Sequence, residues 1–149
     1  MAPVDAEGRF ALPGFIRAAI GHAADTTILV GAHEADPCLC GFEQSYVPLL
    51  AIETERRRLR EQAVGETPAA HFSRVRRAFG LIEEAVGDEE GRVRLSEWMR
   101  QRAMIEDRIL IVGTGATFEL WNPLLAAGSA DPGLRELAAW QLAAHSKPE

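Results

Sequence analysis

The sequence predicts an α+β fold built from two tandem copies of a small β-rich half, with helices between and after them. Three observations carry this expectation. The phrase Asp5-Ala-Glu-Gly-Arg-Phe-Ala-Leu-Pro13 returns as Asp88-Glu-Glu-Gly-Arg-Val-Arg-Leu-Ser96, both reading D-x-E-G-R-x-x-L-[PS]. Further blocks then match in the same order: Phe15, Ile16 and Arg17 with Trp98, Met99 and Arg100; Asp25 to Gly31 with Asp107 to Gly113; Leu39 to Phe42 with Phe118 to Trp121. Between the copies lies a different texture, rich in Glu, Arg and Leu. Self-similarity that extends over several ordered blocks defines the architecture before any residue-level reading does.

Each copy describes the same local structure. In D-x-x-G the Asp can hydrogen-bond nearby backbone and the Gly admits φ > 0, so Asp5, Gly8, Asp88 and Gly91 mark tight turns. Strands follow at Arg9–Leu12 and Arg92–Leu95, with Leu12 and Leu95 as core positions. Pro13 or Ser96 then opens a short helix: proline suits a first turn and serine is a good cap. Phe15, Ile16 and Ala19, or Trp98, Met99 and Arg102, fall at helical spacing, and Gly21 is a plausible end for the first helix. A strand pair closes each copy, Thr26–Val30 with Cys38–Phe42 and Arg108–Val112 with Ala116–Trp121, the latter joined at Gly113-Thr-Gly115. Between the copies, Gln44–Gln62 reads as a helix, Gly65–Pro68 as a break, and Ala69–Phe79 as a helix with Phe72, Val75 and Phe79 on one stripe. Leu81–Val86 reads as a strand leading into the second turn, and Pro132–His145 as an amphipathic helix before a disordered end. The division is 1–42, 43–80, 81–130 and 131–149.

Composition limits the function classes. Hydrophobic residues make up 47% of 149 residues, enough for a packed core. Halves this small are marginal alone and gain by packing together or oligomerising. The chain has no apolar run long enough to span a membrane, and Met1 to Gly8 does not resemble a secretory leader. Cys38 and Cys40 stand two apart with no second pair, so neither a disulfide nor a metal site is expected; two buried thiols in a reducing cytosol is the better reading. The net charge of −6 is uneven: residues 1–42 carry −3, 43–80 carry +2 and 81–149 carry −5. His22, His33, His71 and His145 are scattered, and Ser45, Ser73, Ser96 and Ser129 sit in no nucleophile elbow, so an enzyme is not expected. The run Glu83, Glu84, Asp88, Glu89 and Glu90 reads as a solvated face. No cofactor and no small-molecule substrate is implied.

D-x-x-G-R-x-x-L-P, a short helix with an F-x-R-like element and a strand pair, twice, with two helices between, resembles the MraZ family over roughly residues 4–140. Cys38-Leu-Cys-Gly-Phe42 and Gly113 to Asn122 fit the two half-endings of that family. The resemblance implies AbrB-like swapped-hairpin β-barrel halves related by a pseudo-two-fold, assembly into a homo-oligomeric ring, and a cytoplasmic, nucleoid-associated regulator of the cell-division and cell-wall gene cluster. Its implied partner is double-stranded DNA, bound at short direct repeats in a promoter. It makes Arg9 and Arg92 candidates to reach DNA, with Arg17 and Arg100 adding phosphate contacts or bracing the site. A forked donor beside a turn suits phosphate or the edge of guanine. The alternative is structural: Asp5 pairs with Arg9, and Asp88 with Arg92, to hold the turns.

The sequence departs from the family in three ways. Ser96 replaces the second proline; Glu7 stands where the family carries lysine in its first motif, with Glu90 at the matching place of the second copy; and copy one begins four residues before Asp5, so the strand that precedes the second motif has no evident counterpart. A lost strand would leave a sheet edge unpaired or filled by a neighbouring subunit. The acids favour a second reading, a degenerate member that no longer binds DNA and serves as an interaction module. The basic clusters Arg56–Arg60 and Arg74–Arg77 read as a solvated face paired with Glu53, Glu55 and Glu61, as contacts to acidic faces of the next subunit, or as auxiliary phosphate contacts, with intersubunit pairing favoured over DNA.

Overall fold

Each repeated phrase folds locally as expected, into a turn, a short strand and a short helix, but the strands find partners across the copies. The computed structural model describes residues 1–20, 27–85 and 87–146. In chain order the elements are β1 (Ala2–Pro3), β2 (Arg9–Ala11), α1 (Gly14–Ile20), β3 (Ile28–Ala32), β4 (Leu39–Glu43), a 3-10 turn (Gln44–Tyr46), α2 (Val47–Ala63), α3 (Pro68–Val75), a π-helical turn (Arg76–Gly80), β5 (Ile82–Ala85), β6 (Arg92–Arg94), α4 (Glu97–Arg102), β7 (Arg108–Gly113), β8 (Thr117–Trp121), α5 (Pro123–Ala127) and α6 (Pro132–His145).

Side-chain caps fix most helix starts. Ser96 accepts from the Met99 amide at 3.2 Å, Thr67 from Ala70 at 3.2 Å, and Asp131 from Leu134 at 2.7 Å. Each satisfies an amide that the helix itself cannot. The last helix spans the predicted residues. Helix α5 has no counterpart in the sequence reading; it is capped by Asn122, whose side chain accepts from Leu124 at 2.8 Å.

The sheet explains why two marginal halves are stable together. Its strand order is β1-β7-β8-β4-β3-β5, with β2 and β6 forming a separate two-stranded ribbon. The hairpins β3–β4 and β7–β8 meet at the centre through β4 and β8, with Leu39 opposite Leu120 and Gly41 opposite Phe118. The leading strand of each copy lies on the hairpin of the other: β1 on β7, and β5 on β3. The ribbon also joins the copies, pairing Phe10 with Val93. One continuous core results, containing Phe10, Ile16, Leu39, Met99, Ile109 and Phe118. A smaller cluster of Leu110, Trp121, Ala126 and Ala138 lies beneath α5 and α6.

Several expectations are corrected. Copy one does have a leading strand: Ala2 and Pro3 pair with Ile109 and Arg108, so the β7 edge is partly covered from within the chain. Proline tolerates this edge position because its missing N–H is not needed there. Strand β3 runs on past Val30 to Ala32, and the second helix of the connector stops at Val75, where the π-helical turn begins. The connector helices α2 and α3 bury no residue fully, and Phe72, expected on a packed stripe, is exposed. In the short helices Ile16 and Met99 face the core, whereas Phe15 and Trp98 face solvent. Cys38 is buried and Cys40 half-buried, and both are free. Burial pushes both thiols up, Cys40 to about 11, which keeps them protonated and unreactive. The expected end of α1 at Gly21, the start of the next strand at Thr26, Val86 and the last three residues lie outside the described residues. No helix of the described residues is long and apolar enough to cross a membrane.

Candidate nucleic-acid interface

The two D-x-E-G-R turns are alike atom for atom. In the first, the Asp5 Oδ1 accepts from the amides of Glu7 at 3.1 Å and Arg9 at 2.8 Å, and Oδ2 accepts from Arg9 Nε at 2.8 Å. In the second, Asp88 Oδ1 accepts from Glu90 at 3.1 Å and Arg92 at 2.9 Å, and Oδ2 from Arg92 Nε at 2.8 Å. Gly8 and Gly91 close the turns at φ +80 and +76, a region that glycine enters without steric cost. Asp therefore does two jobs through one carboxylate: it caps the turn and orients the guanidinium that follows.

The ribbon then sorts side chains by alternation. Phe10 and Val93 point into the core, while Arg9, Ala11, Arg92 and Arg94 occupy the outer face, Arg9 opposite Arg94 and Ala11 opposite Arg92. Arg9 and Arg92 are each about one-third exposed. They share a depression of about 430 Å³ with Arg94, Asp88, Glu83 and Glu97. Like charges directly opposite on a ribbon repel; here the repulsion is offset, because Arg94 Nε donates to the Glu7 carbonyl at 3.2 Å and each motif arginine is paired with acids.

Arg17 and Arg100 are placed by the exchange between copies. Arg17 of α1 reaches the second turn, its Nη1 3.1 Å from where a Cβ on Gly91 would stand. Arg100 of α4 reaches the first, its Nε 3.0 Å from the same point on Gly8. Each helix thus lays its arginine across the opposite copy's turn, where only glycine leaves room. Among the described residues neither side chain takes part in an ion pair, and the buried Arg100 Nε has no hydrogen-bond partner. The sequence reading missed Arg94, because the aligned position in copy one is Ala11; the alternation of Arg92 and Arg94 on one strand was the available signal.

Electrostatics tie the turns to pH. Asp5 is held below the ordinary carboxylate range, chiefly by the hydrogen bond from the Arg9 amide and then by its guanidinium. For Asp88 partial desolvation pushes upward, but the hydrogen bonds from the Arg92 amide and guanidinium outweigh it and the net shift is also down. A carboxylate depressed in the folded state adds stability that is complete above its unfolded pKa of about 4 and fades as pH falls through the folded value. Urea midpoints are therefore expected to drop as pH is lowered below about 4, and D5N/D88N to flatten that slope. Glu55 and Glu66, depressed by Arg58 and Arg74, leave a residual slope in the double variant. An unchanged slope would separate the turns from acid lability.

The connector, from α2 through the π-helical turn, carries seven further arginines. Arg57 pairs with Glu34 at 2.5 Å and lies 3.8 Å from Glu61; Arg58 pairs with Glu55 and Arg74 with Glu66. The pairs with Glu55 and Glu61 fit the solvated face that one sequence reading describes, but Glu53 accepts from Tyr46 instead, and Arg74 and Glu66 form a largely buried pair. Among the described residues Arg56, Arg60, Arg76 and Arg77 enter no ion pair.

No family model matches the chain. Several curated proteins do. A protein of Nitrosococcus oceani named transcriptional regulator MraZ is 31% identical over 122 residues, covering 82% of this chain and 77% of its own length. One of the same name from Aromatoleum aromaticum is 34% identical over 119 residues, covering 80% and 75%. One from Rickettsia bellii is 34% identical over 127 residues, with the same coverage. Each match covers about four-fifths of this chain, and at this identity and coverage the chain belongs to the MraZ family.

Proposed function

We propose that the protein is a sequence-specific DNA-binding transcriptional regulator, acting on promoter DNA of the cell-division and cell-wall gene cluster at short direct repeats. The observation that supports it most is the outer face of the β2·β6 ribbon, where a chain of net charge −6 gathers Arg9, Arg92 and Arg94. The same face also carries Glu83, Glu84, Asp88 and Glu97, so the three guanidinium groups would act as local donors to phosphate or a base edge rather than as a net basic field. Arg9 and Arg92 are the proposed DNA contacts, with Arg17 and Arg100 bracing the turns and reaching phosphate. Asp5, Gly8, Leu12, Pro13, Asp88, Gly91 and Leu95 hold the two motifs in shape. The exchange of β1 and β5 between hairpins suits the swapped-hairpin barrel of AbrB-like halves, in which residues 1–42 and 81–130 are the two units. Assembly as a ring would let individually weak units engage several repeats at once, so specificity would rest on avidity. A cytoplasmic, nucleoid-associated location accords with this role.

The test is fluorescence anisotropy with duplex from upstream of the protein's own gene, at two salt concentrations, with light scattering to read the assembly. Binding is expected to weaken steeply with salt, with a log–log slope of about −0.9 per phosphate neutralised. R9A/R92A is expected to lose about a hundredfold in affinity, since hydrogen bonds to charged groups carry about 1.5–3 kcal/mol each. A second reading, an interaction module without DNA binding, is favoured by one feature: each motif arginine is held by two acids. Absent or salt-insensitive binding would select it.

A further inference from the structure

The two acids on each motif arginine are not equivalent. Asp5 and Asp88 are built into their turns through backbone and side-chain hydrogen bonds. Glu7 and Glu90 are not. Among the described residues the Glu7 carboxylate, 58% exposed, bonds only to Arg9 Nη2, at 3.1 Å, and that of Glu90, 69% exposed, only to Arg92 Nη2, at 2.5 Å. Both two-pronged edges of a guanidinium, the end and the side, use Nη2. Nε is already committed to the aspartate, and the glutamate takes one of the two N–H groups of Nη2 and sets its negative charge beside the edge that a bidentate partner would use.

We propose that Glu7 and Glu90 set the threshold for DNA binding: each is an internal competitor that a phosphate or guanine edge meets at the motif arginine. This deepens the DNA-binding reading and rests on it. The exposed pairs are weak enough to open, because they gain little Coulomb energy in water and cost side-chain entropy. Once displaced, the glutamate stays close and repels phosphate. The handicap applies to every backbone contact, whatever the sequence. Stable binding then needs either a base contact that adds to the phosphate contact or several subunits acting together.

The experiment compares wild type, E7Q/E90Q and E106Q/E136Q by anisotropy on random-sequence duplex and on duplex from upstream of the gene. Glu106 and Glu136 are exposed, form no ion pair among the described residues, and give the same change in net charge. E7Q/E90Q is expected to bind random duplex about fivefold tighter, the fold-change for about 0.5 kcal/mol at each of two exposed pairs. The promoter duplex is expected to gain at least as much, and adding R9A/R92A abolishes the gain on both. Thermal melting of each variant checks folding. If wild type binds and E7Q/E90Q binds no tighter, or E106Q/E136Q gains as much, the gate is overturned while the DNA reading survives. If no variant binds either duplex, the DNA reading itself fails and takes the gate with it. Binding by E7Q/E90Q where wild type binds nothing supports both.

Discussion

Gly41→Ala is expected to destabilise the protein by about 3 kcal/mol, the upper part of the range for overpacking a core. A Cβ at Gly41 would stand 2.2 Å from Phe118 Cζ, 2.4 Å from Cε2 and 2.8 Å from Cε1. The ring cannot retreat easily: Phe118 is fully buried and lies directly opposite Gly41 on the neighbouring strand. This pair sits on the β4·β8 seam where the two copies meet. The related pair along the same seam, Leu39 and Leu120, fills its space with two medium side chains. At Gly41 and Phe118 one large ring is accommodated by one absent side chain. Thermal unfolding should register a drop of roughly 9 °C, at about 3 °C per kcal/mol for a chain of this size. Phe118→Leu should relieve part of the clash, so the double variant should be more stable than the two single losses predict, with a coupling above about 1 kcal/mol. A Gly41→Ala protein that melts with wild type would mean that the seam is not packed as described.

The parts of the fold that were legible in the sequence are those encoded within a few residues. Asp5, Gly8 and Pro13, and Asp88, Gly91 and Ser96, specify turn, strand and helix through local hydrogen bonds and backbone freedom, and these elements stand where they were read. Pairing is a long-range property, and the repeat is silent on it: two identical copies can pair within themselves or with each other. The exchange of β1 and β5 was therefore not legible, and Ala2–Pro3, too short for any alternation, escaped notice as a strand. Helix α5 was hidden because Asn122-Pro123 reads as a turn when its capping role is unknown. The apolar residues of α2 and α3 resemble a core stripe, yet Leu49, Ile52, Leu59 and Phe72 stay exposed. At the site, the repeat identified Arg9, Arg17, Arg92 and Arg100 because it preserves residue type. It could not show that Arg17 and Arg100 each cross to the other copy's turn, since that depends on the exchange. Glu7 and Glu90 were readable as obstacles to a phosphate. That each grips its own arginine at hydrogen-bond distance is a matter of the turn's geometry.

Gly8→Ala and Gly91→Ala test this exchange, because the two positions are matched in sequence and differ in their surroundings. Both glycines have φ near +80, where an L side chain costs about 1–2 kcal/mol. At Gly91 a Cβ would meet only the end of the Arg17 side chain, at 3.1 Å, which can swing aside. At Gly8 it would stand 2.7 Å from the Leu95 carbonyl oxygen and 3.0 Å from the Arg100 Nε. The Leu95 amide meanwhile donates to the Gly8 carbonyl at 3.0 Å, so the two backbone segments cannot part without losing a bond between the copies. Gly91→Ala is therefore expected to cost about 1–2 kcal/mol and Gly8→Ala about 3, with the excess arising from backbone that must move rather than from φ. Urea titration of the two variants reads the difference directly, and equal losses would show that only the turn conformation matters. Gly8→Ala should also disturb Arg9 and Arg100 together, since both are anchored to the same turn. Its promoter binding should then fall more than that of Gly91→Ala at matched folded fractions.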